Sequence, residues 1–338
     1  MTVILQLDPA SPDIKAIERA ASVIRNGGLV AFPTETVYGL GADAMNDQAI
    51  ERIFSAKGRP ADNPLIVHIS DRAMLARVAE DVNQNTEKLI GKFWPGPLTL
   101  VLKRKVEVAP AVSAGLDTVA VRMPQGRIAL ELISRSQTPI AAPSANLSGR
   151  PSPTEATHVE RDLGGRIDMI IDGGQTRIGI ESTVLDMTSE PPVILRPGWI
   201  TREQIAEVTG SVEVAFSEEE LKRSPGTLHK HYSPQARVVL IESGSAELIE
   251  KICREHLKNG RVAFLGHSRI NIQDIDFHSF VLEPSAEEYA RSIYGALREL
   301  DDKNPRVMVI EGINESGEGA AVMDRLRRAA SEIITASQ

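Results

Sequence analysis

Lys57-Gly58-Arg59 sets two cations one residue apart just past a helical pattern, with Gly58 as the expected C-cap and Pro60 behind. Held in such a turn, the two can converge on phosphate, the arginine by its fork and the lysine as a point charge. Cations are also favoured at any helix C-terminus, so the pair alone does not define a site. Pro143-Ser144-Ala145-Asn146 follows the apolar run Ile140 to Ala142 and places a hydroxyl and an amide two residues apart, with Ser148, Arg150 and Ser152 close behind. Arg122 closes the run Thr118-Val119-Ala120-Val121 and precedes Met123-Pro124. An arginine at a strand end can grip a carboxylate with two parallel bonds, which suits an amino acid or acidic substrate; an edge salt bridge is an equally good reading. His68, inside Leu65 to Ile69, is in most proteins a satisfied core histidine, but its alternation with Val67 and Ile69 allows it onto a site face. Ser182 and Thr183 open a strand after Gly179, and Arg196 leaves one before Pro197-Gly198.

These positions share a device: an apolar run that ends at proline or glycine and then turns polar. Its fullest form is Leu29 to Gly41. Leu29 to Phe32 reads as a buried strand that Pro33 ends, and Thr34, Glu35, Thr36 and Tyr38 crowd the turn that follows. Gly39 and Gly41 are expected to let backbone N–H groups approach a ligand. Other chemistries lack their spacing. His229-Lys230-His231 is a lone histidine pair with no cysteine near it, so no metal site is assigned, and no serine sits in a G-x-S-x-G elbow. An inventory rich in phosphate and carboxylate donors and poor in nucleophiles suggests a site that positions two substrates to react with each other.

The elements that must hold these residues form two domains, the default for 338 residues. Ser11-Pro12-Asp13 starts a helix on Ile14, Ile17, Ala21 and Ile24; a second runs from Asp47 to Ala56. Strands are expected at Leu65 to Ile69, Leu98 to Leu102, Val119 to Arg122, Ile140 to Ala142, Met169 to Ile171, Thr183 to Asp186 and Val193 to Leu195. Many short strands among fewer helices predict a twisted mixed sheet in a domain spanning 1–210. Residues 211–236 have no periodicity and read as a linker. From 237 to 338, strands and helices alternate as in a smaller Rossmann-like α/β domain with a mainly parallel sheet, its last helix from Ala321 to Ile333. That domain lacks G-x-G-x-x-G and a P-loop, so the fold guess alone supports no nucleotide site there. The net charge of −8 argues against a nucleic-acid partner held on a broad basic face. The single cysteine, Cys253, reads as a core thiol in a reducing compartment, and with no signal peptide or bilayer-long apolar run the cytoplasm is the expected location.

Six segments, Phe32 to Leu40, Lys57 to Leu65, Trp94 to Thr99, Val119 to Pro124, Ala142 to Asn146 and Glu181 to Val184, resemble in order the motifs of the YrdC-type threonylcarbamoyl-AMP synthases. The second domain and its linker resemble the longer, two-domain form. The resemblance implies a nucleotidyltransferase in tRNA processing, which converts L-threonine, bicarbonate or carbon dioxide and ATP, with Mg2+, into threonylcarbamoyl-adenylate and pyrophosphate. The product would pass to the tRNA threonylcarbamoyl transferase machinery. Carried onto this sequence, the catalytic residues are Lys57, Arg59, Ser144 and Asn146. Threonine would be held by Thr36, His68, Arg122, Ser182 and the main chain at Ala142. ATP would meet Arg59, Asn63, Thr118, Ser144, Ser152 and Arg196, with Tyr232 of the linker folding over the site as part of a lid. Carbamoyl transfer from carbamoyl phosphate and an RNA-binding module without turnover stand as alternatives.

Overall fold

A computed structural model of the chain describes residues 1–226 and 232–335. They divide into two compact units: Met1–Ser148 with Ser152 onward, and Gly149–Pro151 with the residues from Tyr232 onward. His229 and His231 lie outside the described residues.

The first unit opens with β1 (Val3–Gln6), α1 (Ile14–Arg25), β2 (Val30–Pro33), β3 (Tyr38–Asp43), α2 (Asp47–Lys57) and β4 (Ile66–His68). It continues through α3 (Arg72–Val78), β5 (Ala79–Glu80), α4 (Gln84–Phe93), β6 (Leu98–Arg104), β7 (Thr118–Arg122), α5 (Arg127–Ser136) and β8 (Ile140–Ala141). It closes with α6 (Ala156–Leu163), β9 (Met169–Asp172), β10 (Thr183–Asp186), β11 (Val193–Arg196), α7 (Arg202–Thr209), β12 (Glu213–Val214) and the short α8 (Glu218–Leu221). The strands form one mixed sheet in the order β1-β9-β2-β3-β8-β4-β7-β6-β10-β11-β12, with β5 against β6. Most of the core lies in a single cluster where α1 buries Ile17, Ala20, Ala21 and Ile24 beside Phe32, Leu40, Leu100 and Val121. A second, smaller apolar group, Ile66, Val101, Ala120, Val184, Val193 and Leu195, covers part of the other face.

Local signals explain much of this and correct some expectations. Within the Ser11-Pro12-Asp13 start it is Asp13 that caps α1, accepting from the Lys15 N–H at 2.8 Å. Gly58 ends α2 in the left-handed region at φ +61°, and the N–H groups of Gly58 and Arg59 return to Ser55 O and Phe54 O. The segment expected to admit a ligand at Gly39 and Gly41 is instead β3, antiparallel to β2. A Cβ at Gly41 would stand 2.8 Å from both Ile140 Cγ2 and Phe32 Cε1, so that glycine serves side-chain packing.

The second unit holds β13 (Arg237–Ser243), α9 (Ala246–Leu257), β14 (Val262–Gly266), β15 (Phe277–Val281), α10 (Ala286–Asp301), β16 (Val307–Glu311), α11 (Gly319–Ala329) and β17 (Glu332–Thr335). Its sheet, in the order β15-β14-β16-β13-β17, is parallel throughout. The last helix stops at Ala329 rather than Ile333, and Ile333 and Ile334 pair with β13 as a strand. A few β-branched residues after a helix fit a buried or edge strand as well as one more helical turn, and tertiary pairing decides. Cys253 is fully buried on α9, and desolvation pushes its thiol up to about 12.

Candidate active site

The site grows from the register of neighbouring strands in the first unit. β4 and β7 run parallel with Ile66 opposite Ala120 and His68 opposite Arg122, and β6 pairs antiparallel with β7, Val101 opposite Ala120 and Lys103 opposite Thr118. Side chains two apart share a face, so Thr118, Ala120 and Arg122 stand together. One row, Ile66, Ala120 and Val101, is an apolar floor. At one end of β7 stands Arg122 with His68 beside it, and at the other Thr118, about 13 Å away by strand rise.

Arg122 is buried and its guanidinium is largely committed. Nε donates to Gly96 O at 3.1 Å and Nη1 to Thr36 Oγ1 at 3.0 Å, while Nη2 lies 2.7 Å from Glu35 Oε2. Nε and Nη1 are thus spent on neutral acceptors, and Nη2 faces the Glu35 carboxylate. Thr36 is fixed in turn by Thr34, whose hydroxyl lies 2.9 Å from it and donates to Val37 O at 2.7 Å. Burial, followed by the nearby charge of Arg122, drives the His68 imidazole down to about 3, so it is neutral at physiological pH. Ser182 joins this end through a 2.7 Å contact with the hydroxyl of Thr99, the second residue of β6. Arg196 Nε and Nη2 donate to Ser182 O at 3.2 and 3.0 Å.

The loop after β8 forms the second part. Ser144 bridges to Gly39, Ala145 N donates to Tyr38 O, and Ala142 N donates to Ile66 O, which locks residues 142–146 onto β3 and β4. Lys57, at the end of α2, is 2% exposed. Its Nζ donates to Ser144 O at 2.5 Å, Asn146 O at 2.6 Å and Asn146 Oδ1 at 3.4 Å. Burial, then the charge of Arg59, lowers the Lys57 pKa well below its ordinary value, opposed by Asp162. Ser144 Oγ donates to Asn146 Oδ1 at 2.6 Å. Arg59 folds back on its own loop, Nε to Asn63 O and Nη2 to Pro64 O. Two of the ATP candidates meet the 211–236 segment past its midpoint: Asn63 Oδ1 accepts from Gly226 N at 3.0 Å, and Arg196 Nη1 donates to Pro225 O at 3.0 Å. Ser152 donates to Glu181 Oε1 at 2.5 Å, next to Ser182.

Direct bonds thus join Thr36 to Arg122, Lys57 to Ser144 and Asn146, Arg59 to Asn63, and Arg196 to Ser182. His68 and Thr118 enter by strand register. Tyr232 groups with the second unit, its ring stacked on Tyr294 at 5.5 Å with the Arg325 guanidinium 5.5 Å above it. Sequence reading left Glu35, Thr99 and Glu181 without roles, although each lies inside a quoted motif. Their signal was a polar side chain in a segment otherwise built for burial.

This is an α/β domain whose sheet face sets a cluster of buried polar side chains, Thr36, His68, Arg122 and Ser182, beside the loop that carries Ser144 and Asn146. The family model for Sua5, YciO and YrdC proteins, described as "Telomere recombination", matches residues 22–198, and one described as "Threonylcarbamoyl-AMP synthase, C-terminal domain" matches 200–331. The threonylcarbamoyl-AMP synthase of Pyrococcus abyssi is 46% identical over 97% of this chain and 98% of its own length. That of Bacillus subtilis is 45% identical over 96% and 95%. The crystal structure of P. abyssi Sua5 complexed with L-threonine superposes with a TM-score of 0.94 at 46% identity, covering 99% of this chain and 100% of that one. The chain belongs to the family of threonylcarbamoyl-AMP synthases.

Proposed function

We propose that the chain condenses L-threonine, bicarbonate or carbon dioxide, and ATP into threonylcarbamoyl-adenylate and pyrophosphate. The observation that carries this reading is the placement of Arg122, Thr36, His68 and Ser182 at one end of a short apolar floor, with Arg196 tying Ser182 to the linker side. Arg122 Nη2 takes the threonine carboxylate, and the hydroxyls of Thr36 and Ser182 with neutral His68 surround the side chain. The threonine amine attacks carbon dioxide and loses a proton to give a carbamate; a carbamate oxygen then attacks the α-phosphorus of ATP, and pyrophosphate leaves. Arg59, Asn63, Ser144, Ser152, Thr118 and Arg196 are assigned to ATP, the cations offsetting charge on the phosphates. The apolar floor suits the flat base.

Magnesium enters with ATP. Among the described residues no group of three His, Cys, Asp or Glu is placed to hold a metal, and we assign the ion to the phosphate oxygens of ATP. The bonds of Pro225 and Gly226 to Arg196 and Asn63 support a lid role for this part of the linker, which would slow hydrolysis of a labile acyl-phosphate product. No described helix is long and apolar enough to cross a membrane. Our reading places the reaction in the cytoplasm, with the product passed to the enzyme that transfers the threonylcarbamoyl group to tRNA. Mass spectrometry of a short incubation with ATP, L-threonine, bicarbonate and magnesium tests the proposal: the adenylate and pyrophosphate must form together and require all substrates. ATP left intact while threonine binds would exclude it.

A further inference from the structure

Four buried polar atoms at the Arg122 end lack a hydrogen-bond partner among the described residues: both carboxylate oxygens of Glu35, Nη2 of Arg122 and Nδ1 of His68. Glu35 Oε2 and Arg122 Nη2 are 2.7 Å apart, yet they are not aligned for a hydrogen bond, and both side chains are 4% exposed. A buried ion pair is well compensated only when further hydrogen bonds satisfy its remaining lone pairs and protons. Here the turn is held elsewhere: Ile178 N donates to Glu35 O and Gly179 N to Thr36 O, so Glu35 is fixed through its main chain while its carboxylate goes unsatisfied. Its neighbour Thr34 already caps the turn through Val37 O.

Together these atoms complement one kind of small molecule. A cationic donor, an anionic acceptor and a neutral imidazole nitrogen match the carboxylate, ammonium and hydroxyl of a zwitterionic hydroxy amino acid. We propose that Glu35 is a specificity-determining residue that binds the α-ammonium of the amino-acid substrate, giving up its contact with Arg122 Nη2 to the substrate carboxylate. On binding, the substrate carboxylate takes Nη2 and the freed Glu35 carboxylate turns to the ammonium. The number of buried charge contacts rises from one to two, each joining opposite charges. The inference rests on the reading of threonine as substrate and adds the group that selects its amino end.

Threonine and 3-hydroxybutyrate, which keeps the carboxylate and hydroxyl but lacks the amine, separate this role from a structural one. NMR titration of the full chain with each ligand is compared for wild type and Glu35→Gln, with ATP binding as a check on folding. A lost charge-assisted contact weakens threonine by about 10- to 100-fold. The same substitution leaves 3-hydroxybutyrate unchanged or tighter, because an unpaired carboxylate no longer faces it, and Glu35→Asp recovers part of the threonine affinity. Equal weakening of both ligands, or threonine binding within about 3-fold of wild type, overturns the inference. Failure of wild type to bind threonine at all would instead remove the functional reading beneath it.

Discussion

Lys57 tests how the anion-binding loop is built. Its three donors all face the 144–146 segment, so we expect it to act by shaping that segment, with Ser144 and Asn146 meeting the substrates. Lys57→Met keeps the bulk of the buried stem and removes the donors, leaving Ser144 O and two oxygens of Asn146 without them. Three charge-assisted bonds at about 1.5 kcal/mol each are lost, against which the relief of burying a charge is set; a net destabilisation of about 1–3 kcal/mol is expected. Misplacing the loop by about 1 Å should lower kcat roughly 100-fold, about 2.7 kcal/mol in the barrier, with a smaller effect on the KM for threonine. Lys57→Arg should fail similarly, because a planar fork does not fit three acceptors around one point. The decisive assay is a double-mutant cycle on kcat/KM with Asn146→Ala, since Asn146 Oδ1 accepts from both Lys57 and Ser144. If Lys57 works through the loop, the double variant is scarcely worse than either single one, a coupling above about 1 kcal/mol. Additivity within about 0.5 kcal/mol would show that Lys57 acts on the phosphates independently, and the positioning argument would fall.

Two further outcomes follow from burial. Gly41→Ala forces a methyl group to 2.8 Å from Ile140 Cγ2 and Phe32 Cε1, and overpacking of this kind should cost about 1–3 kcal/mol in denaturant unfolding; a loss under about 0.5 kcal/mol would mean that β3 shifts freely. His68 has a folded pKa of about 3, below its unfolded value near 6.5, so the unfolded chain takes up the proton first and stability declines as pH falls through that window. Between pH 7.5 and 5.5 this amounts to about 1.4 kcal/mol, and His68→Gln should remove that share of the pH dependence; an unchanged slope in the variant would refute it.

What could be read from the sequence followed from the kind of force involved. The strands from Leu65 to Leu195 and the parallel second sheet were legible because burial on both faces leaves continuous apolar runs, and Lys57, Ser144, Arg122 and Arg196 were legible because charge or amide at the end of such a run needs a reason. The partners of those residues were not. That Lys57 points at backbone carbonyls depends on Ser144 bridging Gly39, a contact between segments about a hundred residues apart, and that Gly41 serves Phe32 and Ile140 depends on β3 lying between β2 and β8. Strand order is set by long-range pairing, which leaves no local trace. Glu35 shows the same limit most clearly: between two threonines in a turn it looks like an ordinary turn acid, and only the fold brings Arg122 to it. Its carboxylate lies 2.7 Å from Arg122 yet has no hydrogen-bond partner among the described residues, and a buried polar group of that kind calls for an explanation that no local pattern around residue 35 contains.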